Sequence, residues 1–111
     1  MHFAPEWGFH QRFSGKEQID YYPVDINPDF PYPIVKAVNI TDIPYPDDYF
    51  DLIICFHVLQ YVKDEKKALK EVKRVLADNG SAIFCDNVNE IKKYYLRQGE
   101  EICIYKKQSE L

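Results

Sequence analysis

The stretch Asp47–Val62, DDYFDLIICFHVLQYV, decides most of what this chain can become. Within it Leu52-Ile53-Ile54-Cys55-Phe56 is apolar without alternation, bounded by Phe50-Asp51 in front and a helical pattern behind. Such a run reads as a strand with both faces covered, which happens where a parallel sheet is flanked by helices. His57 falls just past the carboxyl end of that strand, the edge at which open α/β sheets bind ligands. The expected fold class is therefore α/β: a Rossmann-like, mostly parallel sheet flanked by helices.

The other segments fit that frame. Met1–Ala4 reads as a short first strand, about half the usual strand length. Either its true start lies upstream or the fold is a reduced one. Glu6–Phe13 is a short helix after Pro5, with Phe9 and Phe13 on one face, ended by Ser14-Gly15. Ile19–Val24 reads as the second strand, with Asp25 at its end, and Ile34–Ile40 as the third. Six of the seven prolines lie between Pro23 and Pro46, so no long helix fits between those two strands. Asp64 is a good helix N-cap. Behind it Ala68, Leu69, Val72, Val75 and Leu76 recur at helical spacing, while Lys66, Lys67, Lys70 and Lys73 face out. Asp78-Asn79-Gly80 is expected to end this helix and turn into a fifth strand, Ser81–Cys85, with Asp86-Asn87 at its end. Asn89–Arg97 reads as a helix, and Glu101–Tyr105 as a last antiparallel edge strand.

Composition narrows the function classes. With 111 residues, 46% of them hydrophobic, the chain makes one packed domain, 1–111. The formal net charge of −4 offers nothing to a phosphate backbone or an anionic membrane, so neither nucleic acid nor membrane is expected as a partner. The lysines at 63–73, 92–93 and 106–107 read as solvated helix faces and a tail. Cys55, Cys85 and Cys103 are odd in number and widely spaced, a pattern that fits neither a disulfide framework nor a zinc site. Cys55 and Cys85 read as small core residues. No metal site is expected. No signal peptide and no apolar stretch of ~18 residues is visible, so the default location is cytoplasmic.

Several pieces stand in a telling order: Ile40-Thr41-Asp42-Ile43-Pro44, Phe50-Asp51-Leu52-Ile53, His57-Val58-Leu59-Gln60-Tyr61-Val62, Arg74-Val75-Leu76 and Asn79-Gly80. Together they resemble the central block of class I S-adenosylmethionine-dependent methyltransferases, in particular the methyltransferase type 11-like branch. The resemblance covers roughly residues 2–86, is strongest over 19–86, and leaves 87–111 as a divergent helix and edge strand. It implies a reduced version of that fold, S-adenosylmethionine as cofactor with S-adenosylhomocysteine as product, and methyl transfer to a small-molecule acceptor.

The same resemblance assigns site residues. Phe3, Ala4, Pro5, Glu6 and Gly8 occupy the place of the family's glycine-rich cofactor loop, in the H-F-A-P-E version that some members carry. Ala4 and Glu6 replace two of the usual glycines, Gly8 keeps the third, and His2 stands where the family has an acid. Asp25, with Ile26 beside it, is the expected acceptor for the ribose hydroxyls, since a carboxylate has lone pairs for both. From the pattern alone Asp25 reads equally as a turn residue before Asn27-Pro28. Asp42 and Ile43 are the adenine candidates, and Asp42 alternatively caps a turn before Pro44. The resemblance implies a place for His57 beside the methionine moiety, and Phe56 before it is a further cofactor-binding candidate.

His57 is also the candidate catalytic base, needed only if the acceptor must lose a proton. Its alternative is a histidine held by backbone at a strand-to-helix junction. His10 is expected on a helix surface. Two other functions stay open from the sequence. One is a non-catalytic, truncated module of the same fold acting through protein–protein contact, its sheet edges covered by self-association or a partner. The other, a nicotinamide-dependent oxidoreductase, lacks the G-x-G-x-x-G that chemistry uses.

Overall fold

The computed structural model describes residues 1–85, 97–98 and 103–108, with the side chains of 97, 98 and 103 excepted. Its described strands form one seven-stranded sheet in the order β3-β2-β1-β4-β5-β7-β6. These are β1 His2–Phe3, β2 Pro23–Asp25, β3 Lys36–Ala37, β4 Phe50–Phe56, β5 Leu76–Cys85, β6 Arg97–Gln98 and β7 Cys103–Lys106. The first five run parallel, while β7 is antiparallel to both β5 and β6. Two helices, α1 Trp7–Ser14 and α2 Glu65–Val75, accompany the sheet, and a 3-10 turn at Leu59–Tyr61 follows β4. The α/β, mostly parallel architecture expected from the sequence is the one observed.

Its centre is β4. Ile53, Ile54 and Cys55 are buried there, and β1 pairs with it through His2↔Ile54 and Phe3↔Cys55. Leu52 lies outside that pairing and is 41% exposed, so the buried run is shorter than its apolar sequence. Helix α2 forms where the sequence places it. The Asp64 carboxylate accepts the Lys67 N–H at 3.1 Å, which satisfies one orphan donor of the first turn. Ala68, Leu69, Val72 and Val75 bury their side chains, and the four lysines expected on the outer face are exposed.

The sequence reading needs correction at several elements. Ile19–Tyr22 is not strand; a turn closes with Ile19 N–H on Lys16 O, Tyr22 O accepts the His2 N–H at 2.9 Å, and β2 starts at Pro23. Strand β3 is only Lys36–Ala37, because the chain bends as soon as Asn39 Oδ1 accepts from Thr41 N–H and Oγ1–H at 3.0 and 2.8 Å. No helix lies between β2 and β3, as the prolines require.

Asp78-Asn79-Gly80 is not a turn between helix and strand. Strand β5 begins at Leu76 directly after α2, and these residues form a bulge within it, the register jumping from Phe50↔Leu76 to Leu52↔Ser81. Asn79 takes a left-handed φ of 64°, which asparagine tolerates better than most residues. Gly80 is required by close approach: a Cβ there would stand 2.8 Å from Ala77 O and 3.1 Å from Asp51 O.

Lys107 stitches the bulge rather than belonging to a solvated tail. Its backbone exchanges bonds with Asn79 and Gly80, and its Nζ donates to Asp48 Oδ1, Leu76 O and Lys73 O. Strand β7 is antiparallel as expected but is not the edge, since β6 lies outside it. Arg97 is in that strand rather than a helix; the rest of the expected helix, Asn89–Leu96, lies outside the described residues, as do Asp86-Asn87 and Lys92-Lys93. Among the described residues no helix is long and apolar enough to cross a membrane.

Candidate functional site

Where β1, β2 and β4 end, the backbone must leave the sheet, and the exits leave a crevice of about 510 Å³. This lies within the size range of small-molecule sites, roughly 300–1,000 Å³. Four separate segments line it: Phe3-Ala4 after β1, Asp25-Ile26 after β2, Val38–Thr41 after β3, and His57–Asp64 after β4. The location is the carboxyl edge of a parallel sheet, where ligands bind in open α/β folds.

Two residues in the crevice wall have left-handed backbones, Ala4 with φ 46° and His57 with φ 57°. For an alanine this conformation costs roughly 1–2 kcal/mol that a glycine would avoid. Ala4 donates its N–H to Val24 O at 2.8 Å. At His57 the backbone N–H donates to Cys85 O at 3.1 Å. This turn directs the chain from β4 into the 3-10 turn, while the imidazole is exposed at the crevice.

Asp25 Oδ2 accepts the Asn27 N–H at 2.8 Å, so the turn role is real. The carboxylate nonetheless lines the crevice and retains lone-pair capacity beyond that one bond. Apolar walls come from Phe3, Ile26, Val38, Ile40, Val58 and Val62, with Asn39, Thr41, Tyr61 and Lys63 as polar company. A nucleoside has this division, a flat apolar-faced base joined to a diol, and the lining suits it.

Of the residues singled out in the sequence, the structure brings Phe3, Ala4, Asp25, Ile26 and His57 together. The others stand elsewhere. Pro5 is fully buried beneath the turn. Gly8 sits in the first turn of α1 on the exposed surface, and a Cβ there would touch nothing within 4 Å. Asp42 is exposed, its N–H bonded to Asn39 O, and Ile43 is 2% exposed within the core. Phe56 packs edge-on against Phe9, ring centres 6.0 Å apart. Asn39 and Thr41 thus stand in the wall where the sequence put Asp42 and Ile43. The Asn39 side chain sets this turn, and its spacing to Thr41 was the signal that could have found it.

Glu6 does not face the crevice. Its Oε2 lies 3.2 Å from Nε2 of His2, whose Nδ1 lies 2.8 Å from the Tyr21 hydroxyl. His2 is 1% exposed, and burial holds its imidazole below its ordinary value, so it is neutral near pH 7. Burial also pushes the Tyr21 phenol up to about 12, keeping its proton in place. An ionised carboxylate only accepts, which assigns the tautomer: Tyr21 O–H donates to Nδ1, and Nε2–H donates to Glu6. His10 is likewise buried rather than on the surface, because its Nε2 meets Pro33 O at 2.8 Å and ties α1 to the proline-rich loop.

The wall after β3 is held from outside. Arg74 on α2 donates to Ile43 O at 2.7 Å, Tyr45 O at 2.9 Å and Asp47 Oδ1 at 2.9 Å. Glu71 pairs with Arg74 at 2.6 Å and accepts the Ile43 N–H at 2.9 Å. The Arg74 fork holds the Glu71 carboxyl below the usual carboxylate range. A second cavity, about 430 Å³, lies at the opposite edge of the sheet among Phe13, Ile19, Tyr21, Tyr49 and Leu52.

Comparison with known proteins adds the following. The family profile described as methyltransferase domain matches residues 11–84. An uncharacterised methyltransferase of Bacillus subtilis (strain 168), YcgJ, is 40% identical over 45 residues, 40% of this chain and 18% of its own length. A malonyl-acyl-carrier-protein O-methyltransferase of Halorhodospira halophila is 29% identical over 78 residues, 67% of this chain and 26% of its own. The crystal structure of Bacillus subtilis YcgJ superimposes with a TM-score of 0.61 at 23% identity, covering 77% of this chain and 42% of that one. Large parts of each relative therefore lie beyond the matched stretch.

Proposed function

The chain belongs to the methyltransferase domain family, and from that membership we propose that its crevice holds S-adenosylmethionine for methyl transfer to a small-molecule acceptor. The observation that carries the reading is the convergence of Ala4, Asp25, Ile40 and His57, four distant stretches of chain, on one cavity at the carboxyl edge of the sheet. In this reading Asp25 accepts the ribose hydroxyls, and Phe3, Ile26, Val38 and Ile40 enclose the adenosine. Asn39 and Thr41 supply polar contacts in place of Asp42.

When bound, the cofactor supplies an electrophilic methyl group on a sulfonium, which is displaced in line. What the chain contributes is then mainly position. The apolar walls exclude water, and the Ala4 and His57 turns set the backbone that the ligand meets. His57, exposed at the crevice, can take a proton from an acceptor that must lose one, and is idle for an acceptor that need not.

Calorimetric titration with S-adenosylhomocysteine tests the reading. Wild-type protein is expected to bind at micromolar Kd, and Asp25→Ala to weaken binding at least tenfold, the range expected for losing hydrogen bonds to a charged acceptor. A folded wild type that releases no heat would overturn the proposal.

A further inference from the structure

Glu6 and His2 flank Ala4, which lines the crevice, and their side chains touch each other. The turn between them is short. It contains Ala4, in a left-handed conformation, and Pro5, whose φ is fixed by its ring. One end of the turn is anchored by the Ala4 N–H on Val24 O, as part of the sheet. The other end is Glu6, whose backbone carbonyl accepts the His10 N–H at the start of α1. Its side chain reaches back four residues to His2 Nε2 at 3.2 Å, and His2 is itself fixed by Tyr21 at 2.8 Å. The rings of Phe9, Phe13 and Tyr21 all lie within 6.3 Å of the imidazole and leave it little freedom to turn.

We propose that the Tyr21–His2–Glu6 chain is a positioning device that holds Ala4 in its left-handed turn, so that a side-chain clamp does here what a flexible glycine would otherwise do for a bound nucleoside. The assignment rests on the cofactor reading of the crevice. Glu6 acts from behind the wall and touches no ligand. Its presence in the loop is then compatible with binding: the carboxylate is drawn away from the crevice by a buried imidazole that donates to it. Removing the clamp frees the turn to relax toward the β region that alanine prefers, and the crevice loses its backbone shape on that side.

Two measurements on Glu6→Ala, Glu6→Gln and the double variant Ala4→Gly/Glu6→Ala test this. In titrations with S-adenosylhomocysteine well below the thermal midpoint, Glu6→Ala is expected to weaken binding at least tenfold. Glu6→Gln keeps an acceptor for Nε2–H and should stay within threefold of wild type, and the double variant should recover to the same range. A purely structural Glu6 would lower the thermal midpoint and leave Kd within threefold, which overturns the proposal. The Ala4 amide is followed by hydrogen exchange in the same samples, without ligand. Exchange at least tenfold faster in Glu6→Ala supports the clamp, and unchanged exchange overturns it. If wild-type protein binds no S-adenosylhomocysteine, the cofactor reading fails, and the exchange data alone decide the clamp.

Discussion

At the scale of single residues, His2 shows how burial and bonding fix a protonation state. Glu6 and Tyr21 face its two ring nitrogens, and the Met1 ammonium and His10 are further titratable groups whose charges it feels. Burial lowers its pKa from 6.5, outweighing the attraction of Glu6. Below 6.5 the unfolded chain binds a proton that the folded chain refuses until its own, lower pKa is reached, so this group's contribution to stability is lost as the pH falls from about 6.5. The thermal midpoint should therefore drop between pH 7.5 and pH 5.5, and His2→Gln should show a flatter profile over the same range. Equal slopes in both proteins would mean that other groups govern the acid side. None of this could be seen in the sequence, where His2, Glu6 and Tyr21 carry no local pattern. The pairing of a strand residue with the first turn of the following helix depends on where Ala4-Pro5 sends the chain. His10 went unrecognised for a related reason: the partner of its Nε2, Pro33 O, is distant in sequence.

At the scale of elements, legibility followed hydrophobic pattern. Helix α2 was readable because its buried positions recur at helical spacing behind the Asp64 cap, and β4 because it is an unbroken apolar run whose residues Ile53, Ile54 and Cys55 are buried. The short strands β2 and β3 were over-extended in the reading, since Tyr21, Tyr22, Ile34 and Val35 have high strand propensity, yet Tyr22 and Val35 make single backbone bonds, to His2 N–H and Pro23 O, and continue no ladder. The bulge at Ala77–Gly80 looked like a turn because Asn-Gly serves both purposes; only Lys107, nearly thirty residues on, distinguishes them. Arg74 now has a structural reason to stand in the last turn of α2. It ties the 43–47 loop to the helix through two backbone carbonyls and, with Glu71, sets the base of the wall that carries Asn39 and Thr41. Arg74→Met should cost about 1–3 kcal/mol in urea unfolding, because the carbonyls and Glu71 lose their donor. A change below about 0.5 kcal/mol would mean the loop is held by apolar packing of Ile43 instead.

For the whole molecule, the parallel part of the sheet, β3-β2-β1-β4-β5, puts the short β1 between β2 and β4 and gathers the exits of β2, β3 and β4 around its own. That topology, expected from the sequence as a mostly parallel α/β sheet, is why segments as distant as Ala4 and Asp64 border one crevice. The sequence located the edge of the sheet and five of the lining residues. It missed the 38–41 and 58–64 walls, whose placement follows from an Asn39 turn and a 3-10 turn rather than from any motif. The claim that this crevice, and not the aromatic cavity at the opposite edge, is the ligand site is open to one direct measurement. Backbone amide chemical shifts would be followed during titration with S-adenosylhomocysteine. The account predicts saturable shifts concentrated on Ala4, Asp25, Ile26, Asn39, Thr41 and His57. Absence of shifts, or shifts concentrated on Ile19, Tyr21, Tyr49 and Leu52, would contradict it.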